Sequence, residues 1–151
     1  MTLTSELTFS VRVLLGPPLE LGPTPSGFRR VIPIIGGAVS GDLSGVVVAG
    51  GADWNVVRDD GSVELSARYE LLLEGGVVVS VTNTAELPAH AEPPFLTRPT
   101  FEVGDIGPTW LRAGVFVGVL RPALDGSAVD LDVLRLALSD TPPSSEARHT
   151  R

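Results

Sequence analysis

Apolar and polar residues alternate with a period of two along most of this chain, and no stretch sustains the three-and-four spacing of a helix. From Ser5 to Leu15, the residues Leu7, Phe9, Val11, Val13 and Leu15 fall on one face, with Thr8, Ser10 and Arg12 on the other. From Val63 to Leu73 the apolar face is Val63, Leu65, Ala67, Tyr69, Leu71 and Leu73, opposite Glu64, Ser66, Arg68 and Glu70. The pattern is weaker from Ala128 to Leu138, where Asp130 and Asp132 alternate with Leu131 and Val133. Further β-rich runs cover Phe28 to Ile35, Leu43 to Val48, Asp53 to Arg58, Val77 to Asn83 and Trp110 to Arg121. Valine dominates several of them, as suits a pleated, buried surface.

The separators are turn chemistry. Asp59-Asp60-Gly61 is a hairpin signal, because a tight primed turn wants Asp-Gly with positive φ. Glu74-Gly75-Gly76 is a second. Glycines in "GGAVSGDLSG" mark places where a sheet bends or backbones approach. Proline predicts two long loops outside the sheet, "GPPLELGPTPSG" and "LPAHAEPPFLTRP". Short strands joined by hairpins make an all-β fold, and strand-interior glycines such as Gly114 and Gly118 favour a closed barrel over a sandwich. The expectation is one closed antiparallel β-barrel of about eight or more strands over residues 1–138. A polar tail over 139–151, holding His149, has the composition of a disordered end.

A chain of 151 residues suits one domain with a sizeable core. It has no cysteine, so disulfides, thiolate metal sites and cysteine nucleophiles are excluded. Two histidines, His90 in a proline-rich loop and His149 in the tail, do not make a histidine-ligated metal site; neither metal nor cofactor is expected. The net charge of −7, with every basic residue an arginine and no basic cluster beyond Arg29-Arg30, argues against nucleic acid as a partner. The first residues alternate as a strand does and lack the plan of a secretory signal, and no run of about 18 apolar residues occurs. A cytoplasmic location without membrane contact is the expectation.

Chemistry-bearing residues cluster between Gly50 and Gly76. Neighbours in a strand point to opposite faces, so only one of Asp53 and Trp54 faces a barrel interior. Asp53 inside is a candidate general base, and Trp54 inside is an aromatic wall with an indole donor. Tyr69 is the one tyrosine, able to donate a proton or to satisfy a core hydrogen bond. Trp110, Arg112, Gly114, Phe116 and Gly118 share a phase, and aromatics alternating with glycine leave room beside the rings for a flat or apolar ligand. Glu102 precedes that run as a second candidate acid or base. Asp130 and Asp132 read as solvated charges. Phosphate loops and a Ser-His-Asp triad are excluded for want of lysine, a following helix and a Gly-x-Ser-x-Gly elbow.

The runs "GFRRVIPIIGGAVSGDLSGVVVAGGADWNVVRDDGSVELSARYELLLEGG", "FEVGD" and "WLRAGVFVG" resemble the domain-of-unknown-function 3237 family from about Phe9 to Leu138. The most specific pieces are Gly50 to Trp54, Asp60-Gly61, Arg68-Tyr69 and Trp110-Leu111. Two departures stand out: Arg112 where the family tends to have Asn, and Glu74-Gly75 where a second Asp-Gly turn is usual. The resemblance implies a small, closed, cytoplasmic and homo-oligomeric β-barrel with no established common reaction. It also implies a role for Arg68, since an arginine held in a barrel clamps a carboxylate or enolate oxygen.

By elimination, the remaining side chains suit a cofactor-independent acid–base enzyme of isomerase, dehydratase or cyclase type acting on a small organic metabolite. Asp53 or Glu102 would move the proton and Arg68 or Tyr69 would stabilise negative charge. Trp54, Trp110, Arg112 and Phe116 would shape the pocket. The alternatives are a non-catalytic barrel binding an apolar or aromatic metabolite and a structural, oligomer-forming module with a filled interior.

Overall fold

The computed structural model describes residues 1–140. In chain order it contains β1 (Thr2–Leu15), β2 (Leu19–Thr24), β3 (Gly27–Gly41), β4 (Gly45–Val57), β5 (Val63–Leu73), β6 (Val78–Leu87), β7 (Phe95–Val103), the helical turn α1 (Trp110–Ala113), β8 (Val115–Pro122) and β9 (Ala128–Ser139). The strands lie in the order β1-β9-β8-β7-β6-β5-β4-β3-β2, and β1 pairs again with β3. That second pairing closes eight antiparallel strands into a barrel. The ninth, β2, lies outside the ring against the first residues of β3. Closure satisfies backbone groups that an open sheet would leave as free edges.

Alternation places β5 as the pattern requires, with Tyr69 and Leu71 buried inside and Arg68 and Glu70 exposed outside. In β1 it is broken by a bulge between Leu7 and Phe9. Thr8 and Phe9 are consequently both buried, and Leu7, expected inside, lies exposed on the outer surface.

Three expectations need correction. The runs Leu43 to Val48 and Asp53 to Arg58 are one strand, β4, carried through a bulge at Ala49 to Gly51. The "GPPLELGPTPSG" stretch contains β2, and Pro99 lies within β7. Proline is tolerated in both because each strand is an edge at that point. Pro23 has a partner only on the β3 side, and β7 pairs with β8 only over Phe95 to Thr97. The strand expected from Trp110 begins instead as α1, with β8 starting at Val115. The last strand reaches Ser139, and the tail beyond residue 140 lies outside the described residues.

The barrel has two unlike ends. One is filled by Phe9, Leu71, Val79, Val103, Phe116 and Val133, with Leu111 of α1 inserted as a plug. Four aromatics lock it: Phe9 lies 5.6 Å from Phe101, Phe101 lies 5.2 Å from Phe116 edge-to-face, and Trp110 lies 6.1 Å from Phe116 and 6.3 Å from Phe9. Each such side chain stabilises the fold by about 1.5–3 kcal/mol on full burial. The other end is hollow. Among the described residues no helix is long and apolar enough to cross a membrane.

Candidate functional site

The hollow end encloses a cavity of about 460 Å³, a volume typical of small-molecule sites. Most of its wall is aliphatic, including Val13, Leu15, Ile32, Ile34, Leu65 and Leu131. The polar side chains in the wall are Arg30, Asp53, Asn55, Tyr69, Asn83, Thr84 and Thr97.

Asp53 reaches the interior because β4 resumes its alternation after the bulge with Asp53 and Asn55 inward and Trp54 outward. The Gly50-Gly51 pair makes that bulge possible. Gly50 holds φ at +121°, and a Cβ on Gly51 would stand 2.7 Å from the Cβ of Tyr69. Beyond the bulge, Asp53 pairs with Ala67 and Val56 with Glu64. Within that interval the Ser66 N–H donates to Asp53 Oδ1 at 3.0 Å. On the other side Arg30, held opposite Asn55 by the β3–β4 register, donates from Nε to Asn55 Oδ1 at 3.2 Å.

Burial pushes the Asp53 carboxyl above its ordinary value of 3.8, and the Ser66 N–H, the Asn55 amide and the Arg30 guanidinium only partly oppose it. A carboxyl placed this way takes up a proton more readily than one in water, which is what a general base near neutral pH needs. Tyr69 is buried at the boundary between cavity and plug. Burial alone moves its phenol well above the ordinary 10.0, so it stays a neutral donor across the physiological range.

On β6 and β7, Asn83 and Thr97 are 5% and 4% exposed. Neither Asn83 Oδ1 nor Thr97 Oγ1 has a hydrogen-bond partner among the described residues. The β4–β5–β6 register places Asp53 opposite Ala67 and Ala67 opposite Asn83. Asp53 and Asn83 therefore flank a methyl group, with backbones about 10 Å apart from two interstrand spacings.

Of the residues expected to form a site, the structure brings Asp53 and Tyr69 into the cavity. Trp54, 39% exposed, and Arg68 lie on the outer face, where with Glu70 and the bulge they line a separate, more open recess of about 380 Å³. Glu102 is also outside, opposite Ser80 in the ladder and exposed. Arg112 is exposed at the α1 end and pairs with Asp105 at 3.0 Å. Trp110 and Phe116 belong to the aromatic plug. Arg30, Asn55, Asn83 and Thr97 were not anticipated, yet for all but Asn55 the signal was in the alternation. Three of them are polar residues in an apolar phase: Asn83 follows Val79 and Val81, Thr97 stands between Phe95 and Phe101, and Arg30 precedes Ile32 and Ile34.

The chain matches the family described as protein of unknown function, DUF3237, over residues 3–136. A UPF0311 protein of Rhodopseudomonas palustris is 34% identical over 146 residues, covering 86% of this chain and 95% of that one. Its crystal structure, of a conserved protein of unknown function, superposes with a TM-score of 0.81 over 91% of this chain and 99% of that chain. A β-barrel-like protein from Acinetobacter baumannii gives the same TM-score at 27% identity, covering 91% of this chain and 98% of its own. An enzyme from Penicillium herquei shares the fold with a TM-score of 0.69 at 20% identity, covering 88% of this chain and 96% of its own.

Proposed function

The chain belongs to that DUF3237 family of unknown function, and we propose on this premise that its barrel cavity binds a small organic molecule and that Asp53 moves a proton on it without a cofactor. The observation that carries the reading is a single carboxyl set in an otherwise mainly aliphatic chamber large enough for a ligand. The chemistry is a proton shift. Asp53 takes a proton from a carbon next to a carbonyl, and the electron pair moves onto the carbonyl oxygen. The protonated carboxyl then returns the proton to another carbon of the same molecule. Tyr69, kept neutral by burial, is the donor available to the developing oxyanion. Reactions of isomerase, dehydratase or cyclase type share this first step. The Penicillium herquei enzyme offers a precedent for catalysis on this fold. At its 20% identity the likeness speaks for the fold alone, so the reading rests on Asp53.

A non-catalytic binding barrel is the second reading, and one observation favours it: Asp53 already has a structural task, accepting the Ser66 N–H between β4 and β5. Proton exchange separates the two. 2-Tetralone, an enolisable bicyclic ketone, is incubated with the protein in deuterated buffer, and loss of its α-proton signals is followed by NMR. The wild type accelerates exchange and Asp53→Asn lowers that acceleration about 10²–10⁴-fold, the range for removing a general base. Equal rates for the two proteins, with 2-tetralone bound by both, would leave the binding barrel as the function.

A further inference from the structure

Asn83 and Thr97 take no part in the proton transfer described above, and their placement has no account in the packing of the barrel. Both side chains are more than nine-tenths buried, both line the cavity, and each presents an oxygen that no described protein group satisfies. Burying such atoms without a partner costs stability, and native interiors rarely keep them without a reason. Their setting is also specific. Gly118 of β8 faces Thr97 across the ladder, and a Cβ there would collide with Thr97 Oγ1, so the neighbouring strand leaves room for the hydroxyl.

We propose that Asn83 and Thr97 form a subsite for one hydroxyl group of an uncharged, mostly apolar ligand. The amide oxygen of Asn83 accepts the ligand's O–H, and the Thr97 hydroxyl donates to the ligand's oxygen. A hydroxyl is the smallest group that supplies both a donor and an acceptor at one atom. The ligand is uncharged because the wall pairs one carboxyl with one guanidinium and carries no excess of either, and the rest of it is mainly aliphatic. Its body then lies across Ala67, so the carbon skeleton spans the gap between the hydroxyl and the Asp53 carboxyl. This inference rests on the reading of the cavity as a small-molecule site and adds which end of the molecule goes where.

The test compares three bicyclic probes of one size: 2-naphthol, 2-methylnaphthalene and 2-naphthoate. Affinities come from fluorescence titration, and methyl NMR shifts of Ile32, Ile34 and Leu131 locate the bound probe. The wild type is expected to bind 2-naphthol at least about tenfold more tightly than either other probe, as a site with unpaired polar groups discriminates. In Asn83→Leu/Thr97→Val the preference over 2-methylnaphthalene falls below about twofold. The same variant without probe melts at or above the wild-type temperature, because two unpaired polar groups have become apolar ones of similar size. If the double variant does not fold, the isosteric Thr97→Val alone must lower the preference. Equal binding of naphthol and methylnaphthalene within the cavity, tighter binding of naphthoate, or a preference that survives the substitutions overturns the hydroxyl subsite while the cavity reading stands. Failure of every probe to shift the cavity methyls overturns that reading itself.

Discussion

The two ends of the barrel share strands, and β5 and β6 run from one to the other in unbroken register, yet one end is solid and the other hollow. Following β5 inward, Leu71 and Leu73 fill the plugged end, whereas Ala67 and Leu65 border the cavity. Along β6 the change is from Val79 and Val81 to Asn83. Along β7 it is from Val103 and Phe101 to Thr97. Closure by hydrogen bonds is indifferent to what the inward side chains are, so backbone architecture and interior content are set separately. The plugged end carries the stability that lets the other end keep polar groups indoors.

Truncation at each end gives the largest expected effect. Phe9 is 1% exposed and packs against the Phe101 and Trp110 rings. Phe9→Ala is expected to destabilise by about 3–5 kcal/mol through lost transfer energy plus a new void. Leu65→Ala in the cavity wall is expected to cost about 2 kcal/mol, the low end for such a change, because the removed atoms already faced open space. Urea unfolding midpoints, at an unchanged denaturant slope, measure both. Equal costs would mean that the cavity wall is packed as tightly as the plug.

Charge sharpens the same contrast, with a smaller effect whose sign is fixed. The Asp53 carboxyl is raised above 3.8 mainly by burial. Between 3.8 and its raised value the folded protein binds more protons than the unfolded chain, so stability falls as pH rises through that window and levels off above it. Asp53→Asn removes this penalty. The stability difference between variant and wild type should therefore favour the variant most at neutral pH and shrink as the pH falls toward 3.8. Asp60 and Asp125, held low by their Ser62 and Ser127 hydrogen bonds, act in the opposite sense, below 3.8. They are common to both proteins and cancel in the difference. Thermal unfolding from pH 8 to pH 4 reads the slope, which a constant offset from the remaining Arg30 charge does not alter. A flat difference would place Asp53 in contact with bulk water.

How much of this was legible follows from what a period of two can encode. Val63 to Leu73 declares its two faces outright, and Asp60-Gly61 declares the place of its turn, though with positive φ at Gly61 and not at Asp60 it is not the primed type expected; the all-β barrel was readable. A one-residue bulge inverts the phase and a two-residue one preserves it. The one at Leu7/Phe9 turned Leu7 outward, whereas the one at Ala49 to Gly51 sets two extra residues of β4 against β5 and so keeps Asp53 in the inward phase of Val47. No local preference predicts either, because both are set by partners distant in sequence. Proline misled for the reverse reason. It forbids a paired N–H, and at Pro23 and Pro99 the N–H side has no neighbouring strand. Asn83 and Thr97 were overlooked because polar residues within a strand were read as its wet face, though their phase assigned them to the dry one.

The smallest expected effect concerns the residues that look most conspicuous in the sequence. Trp54 and Arg68 share the outer recess, separated from the cavity by the thickness of β4 and β5. If the interior is the ligand site, Trp54→Leu combined with Arg68→Ala should leave 2-naphthol affinity within about twofold of wild type. Stability should move by no more than about 0.5 kcal/mol, as for exposed positions away from caps and networks. The strand between the two recesses makes this a demanding control. Gly51 abuts Tyr69, and Tyr69 reaches both sides, so any mechanical coupling across the wall would pass through that contact. A tenfold loss of naphthol affinity with the cavity methyl shifts intact would show that coupling. A tenfold loss with the shifts abolished would move the binding site to the outer surface, and Asp53 would then be a strand-bridging acceptor for Ser66 alone.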